Sequence, residues 1–241
     1  MAGEPASSGS SRESLSLDGL ILRLLFERSK ENGGENGARR PTTPDASFAA
    51  VYLRSRTEQA MTGRVILAPY DPEWPRRFDQ EAVVLGAVFA GSDAAIEHVG
   101  STAVPGLGAK PVIDIMVGLS HLVQAESRMG ALEAEGYEYV QKHERQFPQR
   151  RYFRKPRFGP SAYHLHCVVR GSDFWIRVLA FRDYVRAHPE AAAAYGELKR
   201  DLAARLGKEA YTEAKGPFIE RILASALVGT RSPLDADGCP R

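Results

Sequence analysis

The chain has 241 residues with 43% apolar, 26% charged and 9% aromatic side chains, values that exclude a wholly disordered chain, a collagen-like fibre and a disulfide scaffold. Its 32 basic and 30 acidic residues leave a net charge of +2, without the global basic excess of a protein that grips a nucleic-acid backbone. Cys167 and Cys239 fit neither a disulfide framework nor a Cys-rich zinc site. No stretch approaches the roughly 18 to 20 apolar residues that span a bilayer, so a cytoplasmic protein without a membrane partner is expected.

The first 60 residues hold 18 of Gly, Ser or Pro and equal numbers of basic and acidic side chains. Residues 1–62 are therefore expected to form a disordered leader. Its one structured candidate is an amphipathic helix carried by Leu17, Leu20, Ile21, Leu24 and Leu25 at i, i+3, i+4, i+7 and i+8. The short apolar run Leu20 to Phe26, interrupted by Arg23 and without a cationic lead, makes a poor signal peptide. Glu31 to Pro44 then breaks structure with Gly and Pro. Truncation at Met61 is expected to leave a folded domain over 63–228, with 229–241 a disordered tail.

Within that domain Val65 to Ala68 reads as a strand. Tyr70-Asp71-Pro72-Glu73-Trp74 reads as a helix entry, with Asp71 as cap and Pro72 in the first turn. Phe78, Ala82, Leu85 and Phe89 then line one helical face. Strands follow at Ile96–Val99 and Val112–Val117. A helix capped by Ser120 is expected to run to about Glu135, ahead of strands at Tyr137–Val140, Tyr152–Arg154 and Tyr163–Val169. Three helices close the domain: Ser172–Ala187, Pro189–Leu206 and about Glu209–Leu227. His188-Pro189 separates the first two, because proline cannot continue a helix and disfavours helix in the residue before it. Strands gathered in the middle with helices at the end imply an α+β domain with a mixed or antiparallel sheet and a C-terminal helical segment.

The chemically informative stretch is Ile96-Glu97-His98-Val99-Gly100-Ser101-Thr102, followed by a Gly-rich connection to Lys110-Pro111-Val112-Ile113-Asp114-Ile115. Gly100 permits close approach of the backbone to a ligand. Ser101 and Thr102 add hydroxyls beside backbone N–H groups, a recurrent way to hold a phosphate oxygen. Asp114 sits among apolar residues, where a carboxylate needs a cation or donors. The alternative is a plain surface loop with Asp114 as a hydrogen-bonded structural acid.

From about Val65 to Leu227 the chain resembles the GrpB family (UPF0157). The resemblance is carried by Tyr70-Asp71-Pro72-Glu73-Trp74, the Ile96–Thr102 segment, Val104-Pro105-Gly106-Leu107 and Ala109–Ile115. It extends to His164-Leu165-His166, Phe181-Arg182-Asp183-Tyr184, and Tyr195 with Leu198-Lys199. It implies a nucleotidyltransferase-like fold. In that superfamily Gly-Ser after the first strand contacts nucleotide phosphates, and acids on the next strands hold two divalent metals. Two acids two residues apart on one strand share a face, but here the positions flanking Asp114 are Val112 and Met116. This departure places a two-metal mechanism in question.

The expected ligand is a nucleoside triphosphate, or another phosphorylated small molecule, with Mg²⁺ or Mn²⁺. Gly100, Ser101, Thr102, Lys110, Arg182 and Lys199 would bind phosphate, Asp114, His164 and His166 the metal, and Asp114, Glu97 and His166 would carry catalysis. Alternation puts His164 and His166 on one face of their strand, as a metal site would use them or as the exposed face of a half-buried sheet would show them. Glu97 and His98 point to opposite faces, so only one of them is expected to reach the site. Arg182 lies on a helix whose stripe is read as Ile176, Leu179, Ala180 and Tyr184, and Tyr195 and Lys199 share a face at i, i+4. Arg151, Arg154 and Lys155 read as a phosphate clamp or as a charged strand edge. Trp74 and Trp175 read as packing residues.

Three functions follow. The first is nucleotidyl or phosphoryl transfer to an unknown acceptor. The second is a non-catalytic nucleotide-binding or phosphometabolite-binding module, motivated by the missing second acid. The third is dephospho-CoA kinase activity through fused relatives, opposed by the absence of any G-x-x-x-x-G-K-[ST] string.

Overall fold

A computed structural model describes residues 65–141, 144, 147–156 and 162–228. The expectations for the leader, its amphipathic segment, Met61 and the tail lie outside the described residues.

Helix α1 (Glu73–Val88) begins where the Asp-Pro pair predicts. The Asp71 carboxylate accepts the Glu73 N–H at 2.9 Å and its carbonyl accepts the Trp74 N–H at 3.1 Å, which satisfies donors that a helix start leaves open. Its buried residues are Trp74, Arg77, Glu81 and Leu85, so two charged side chains occupy positions that the apolar pattern assigned to Phe78 and Ala82, both only half-buried. Glu81 is tolerated there because Lys155 Nζ and Tyr137 Oη both donate to it, at 2.8 and 2.9 Å.

Strands β1 (Ala95–Val99), β2 (Ile113–Leu119), β3 (Glu138–Tyr139), β4 (Arg150–Lys155) and β5 (Tyr163–Val169) form a sheet ordered β1-β2-β5-β4-β3. β2 and β5 pair in parallel and the remaining pairs are antiparallel. The sheet is mixed and flanked by helices, as the α+β reading expects. Val65–Ala68 does not form a strand: only Ala68 pairs, in an isolated bridge to Ala109. The helix expected after Ser120 is two short ones, α2 (Val123–Glu126) and α3 (Met129–Ala134), broken at Ser127-Arg128. Ser120 caps neither of them; its hydroxyl donates to Asp93 at 2.5 Å.

The C-terminal helices are α4 (Asp173–Ala187), α5 (Pro189–Arg205), α6 (Lys208–Ala214) and α7 (Gly216–Val228). Ser172 caps α4 by accepting the Trp175 N–H at 3.3 Å, and Pro189 starts α5. The helix expected over about Glu209–Leu227 is divided at Lys215, just ahead of Gly216-Pro217, where the sequence allows a restart. The buried stripe of α4 is Phe174, Trp175, Val178, Phe181, Arg182 and Val185, which replaces the expected one, and Ile176 is 46% exposed.

Both faces of the sheet are covered. Trp74, Leu85 and Phe89 of α1 and its C-terminus pack with Leu132 of α3 on Ile113, Ile115, Val117, Leu165 and Cys167. On the opposite face Phe174, Trp175, Val178, Phe181, Tyr195, Phe218 and Ile222 pack on Val99, Met116 and Val168. Trp74 and Trp175 are core residues, as expected. Gly118 of β2 is the point of closest approach: a Cβ there would lie 2.5 Å from the Trp175 ring. Burial pushes the Cys167 thiol up, as suits an inert core residue. Among the described residues no helix is long and apolar enough to cross a membrane.

Candidate functional site

The register of the sheet decides which side chains meet. Asp114 lies opposite Val99 and His164, and His166 lies opposite Met116 and Tyr152. Paired residues share a face, so Asp114, His164 and His166 project from one side of neighbouring strands, toward α4, α5 and α7. The shared face is as the alternation predicts, but it is not a solvent face: His166 is 3% exposed and Asp114 8%.

After β1 the chain reverses at Gly100, whose φ of 73° and ψ of −171° define a region open essentially to glycine alone. Ser101–Ala103 forms one 3₁₀ turn. The Gly100 backbone lies against Asp114, and a Cβ there would be 2.5 Å from Asp114 Oδ2. The other carboxylate oxygen faces the histidines: His164 Nδ1 is 3.1 Å and His166 Nε2 3.9 Å from Oδ1. Burial would raise the Asp114 pKa, but the two imidazoles outweigh it and hold the carboxyl at about 2. Asp114 is therefore a carboxylate at neutral pH.

A cavity of about 40 Å³ opens beside this turn, lined by Ser101, Thr102, Lys110, Asp114, His164, Lys199 and Tyr211. Lys199 reaches it from α5: its Nζ donates to Ser101 Oγ at 3.0 Å and to the Gly108 carbonyl at 2.6 Å. It also lies 4.9 Å from the centroid of the Tyr195 ring, so the i, i+4 pair does share a face. Burial, followed by the Arg200 and Lys110 charges, lowers the Lys199 pKa to about 7. Lys110 and Lys215 both lie over the Tyr211 ring, 5.2 and 4.4 Å from its centroid. Leu67, Ala109 and Val112 complete the lining, so hydroxyl-bearing, amine-bearing and apolar side chains together surround one ionised acid.

Seven predicted site residues come together here: Gly100, Ser101, Thr102, Lys110, Asp114, His164 and Lys199. His166 lies behind Asp114, outside the lining. Glu97 and Arg182 do not line the cavity. They pair with each other at 2.6 Å, and Arg182 also donates to the His98 carbonyl at 2.9 Å and to Asp183 at 2.7 Å. Arg182 thereby pins the end of β1, one residue ahead of the Val99-Gly100 reversal. Of the two neighbours, Glu97 has the site face and His98 the opposite one, where His98 meets Thr102 Oγ1 at 3.0 Å and stacks on Phe78. The arginines read as a clamp are neutralised within the protein, Arg151 by Glu126 and Glu144, Arg154 by Glu138.

Sequence reasoning missed Tyr211 and Arg150. Arg150 is 2% exposed and its Nη1 lies 3.0 Å from His166 Nδ1. The available signal was alternation, since Arg150, Tyr152 and Arg154 share one face of β4. A larger groove of about 400 Å³ near the end of α7 is lined mainly by aliphatic residues and by Arg177 and Glu220. These two satisfy each other at 2.9 Å, so it lacks convergent chemistry.

The comparisons agree with this architecture. A UPF0157 protein of Pseudomonas aeruginosa is 38% identical over 192 residues, covering 77% of each chain. The crystal structure of the conserved protein GrpB from Enterococcus faecalis superposes with a TM-score of 0.61 at 35% identity, over 69% of this chain and all of that one. A Cid1 poly(U) polymerase structure, titled as MgGTP-bound, aligns at 17% identity and a TM-score of 0.41 over 69% of this chain and 54% of that one, too slight a likeness to carry function across. The family model described as GrpB protein matches residues 64–225, and the chain belongs to the GrpB family.

Proposed function

We propose that the protein binds a nucleoside triphosphate together with a divalent cation, Mg²⁺ or Mn²⁺, its phosphates held by Ser101, Thr102, Lys110 and Lys199. The observation that carries this reading is that Ser101, Thr102, Lys110 and Lys199 line one cavity with a single acid, Asp114, that is ionised. At about 40 Å³ the cavity accepts phosphate oxygens or one or two waters. The sugar and base would lie outside it, or widen it.

The fit to a metal is partial. Among the described residues no group of three or more His, Cys, Asp or Glu side chains is arranged to hold an ion. One carboxylate with substrate phosphates and water is a mode that Mg²⁺ accepts. Asp114 would hold the cation, with His164 beside it, and the ion would offset phosphate charge. Ser101, Lys110 and Lys199 would orient the phosphates. Arg182 and Glu97 would act at one remove, by fixing the strand end from which the Gly100 loop departs.

A non-catalytic binding module is the second reading, and one observation favours it over transfer to an acceptor. The neighbours of Asp114 on the site face are His164 and Met116 rather than a second acid, so an in-line transfer lacks its second metal-bridging group.

Calorimetric titration of the protein with nucleoside triphosphates, with and without Mn²⁺, tests the reading. Binding is expected to be Mn²⁺-dependent and to weaken at least about tenfold in Asp114→Asn, the effect of removing a charged ligand. Unchanged affinity in that variant defeats the assignment. The same titration carries a proton signature: Lys199 is half neutral near pH 7, and a phosphate beside it favours the charged form. Net proton uptake is therefore expected at pH 7 to 8, read from the dependence of the heat on buffer ionisation enthalpy.

A further inference from the structure

Three side chains run in from β4 toward the cavity, Arg150, His166 and Asp114, and the chemistry of the first constrains the other two. Arg150 Nη1 lies 3.0 Å from His166 Nδ1. A guanidinium has donors and no acceptor, so His166 Nδ1 accepts through its lone pair. A neutral imidazole then carries its proton on Nε2, the nitrogen that points at Asp114 Oδ1 from 3.9 Å. That buried Nε2 has no hydrogen-bond partner among the described residues, and the carboxylate in front of it is beyond hydrogen-bond reach, faced by the N–H as a dipole. An imidazole in this state has no lone pair to offer a cation.

We propose that Arg150 is a positioning residue for Asp114: it fixes His166 as the Nε2–H tautomer, so that His166 turns an N–H dipole toward the carboxylate and offers no lone pair to a cation. Asp114 Oδ1 is then held by His164 and faced by the His166 N–H, and Oδ2, the oxygen against Gly100, is the one presented to a ligand held by the Ser101 turn.

The surroundings of Arg150 support this role. It is 2% exposed, and its guanidinium lies 5.1 Å from the Phe147 ring centroid and 4.9 Å from that of Tyr152, so it is held from two sides. Tyr152 also packs on His166 at 5.2 Å. A ring nitrogen that accepts from Arg150 carries no proton, so the geometry itself makes His166 a neutral imidazole. Buried cations are costly unless they meet specific partners, and one partner of Arg150 is a ring nitrogen whose ring faces the acid of the site. The inference corrects the expectation that His166 ligates metal. It rests on the proposed function only in treating Asp114 as the ligand-facing acid; the tautomer stands on geometry.

Long-range ¹H–¹⁵N correlation spectra of the ligand-free, histidine-labelled full chain at pH 7 test it, with His166 assigned from a His166→Gln variant. The expected pattern is an unprotonated Nδ1 and a protonated Nε2. A protonated Nδ1, or a cationic ring, overturns the proposal. Arg150→Met is expected to lose the fixed tautomer and to weaken Mn²⁺-dependent nucleotide binding roughly 10- to 100-fold, the range for groups that orient a ligand-bearing side chain. Arg150→Lys, which keeps a donor, is expected to retain the tautomer. A folded Arg150→Met with the tautomer unchanged refutes the role, and if that variant fails to fold the wild-type spectrum still decides. Absence of nucleotide binding with the expected tautomer would instead remove the proposed function and leave the positioning intact.

Discussion

Gly100→Ala is expected to abolish ligand binding and to destabilise the fold by roughly 2 to 5 kcal/mol, summing backbone strain and steric conflict. Two independent features of that position act together. Its φ of 73° with ψ of −171° lies where a residue with a side chain is strained by about 1 to 3 kcal/mol. The new Cβ would also stand 2.5 Å from Asp114 Oδ2 and 3.1 Å from Asp114 Cβ and Cγ. The carboxylate cannot step aside freely, because Oδ1 is held by His164 at 3.1 Å and β2 is paired on both sides. Either the turn moves away from β2, carrying Ser101 and Thr102 out of the cavity, or Asp114 rotates and loses His164. Each outcome dismantles the proposed phosphate site. Urea unfolding measures the first effect and calorimetric titration the second. A variant with wild-type stability and affinity would show that the reversal at Gly100 is not what joins the loop to the acid.

How much of this was legible beforehand depended on whether the deciding contact was local. β5 was read at both ends, Tyr163 and Val169, because its alternation is uninterrupted. The break at His188-Pro189 follows from proline chemistry alone. The Gly100–Thr102 turn and Asp114 were also readable, since a Gly-Ser-Thr reversal between two strands and a lone acid in an apolar run are both local anomalies. Val65–Ala68 was misread because four apolar residues suit a strand, whereas only Ala68 finds a partner. The stripe of α4 was misplaced because an apolar pattern leaves out a buried arginine: Arg182 belongs to the covered face with Phe174, Trp175, Val178, Phe181 and Val185. It is buried because Glu97, the His98 carbonyl and Asp183 receive its donors, and Glu97 and His98 lie more than 80 residues away. The same blindness hid Arg150 and Tyr211. The two histidines were assigned the right face, but the alternative of an exposed sheet face fails for His166, which is buried, because alternation reports which residues share a side but not whether helices later cover it.

The protein is expected to lose stability as pH falls from about 6.5, well before ordinary carboxylates titrate near 4. Two buried histidines cause this. His98 is lowered to about 4 by burial, with the Arg186 and Arg182 charges acting the same way and Asp114 opposing. His166 is lowered to about 4 by burial and Arg150, against Asp114. The sign follows from proton counting: between about pH 6.5 and 4 the unfolded chain protonates these rings while the folded one does not, so acid favours unfolding. A difference of about 2.5 pH units amounts to roughly 3 kcal/mol for each ring at full effect. Asp114, lowered from 3.8 to about 2, adds a further loss only below about pH 4. On the alkaline side Lys199, lowered to about 7, and Lys215, lowered further by burial, are protonated in the unfolded chain and largely neutral in the folded one. Their contribution still rises with pH up to about 10.4. Tyr163, raised to about 12 by burial, acts oppositely: the unfolded ring ionises above about 10, and stability falls there. The maximum should therefore lie near about pH 8 to 10, displaced from the usual range of about 5 to 8. Urea midpoints measured from pH 4.5 to 10 trace the curve. His98→Gln should remove about half of the acid slope above pH 4.5, because one of two equivalent titrations is gone. A flat profile between pH 7 and 4.5 would mean that these histidines are not held neutral, and that the face of the sheet carrying His166 admits water.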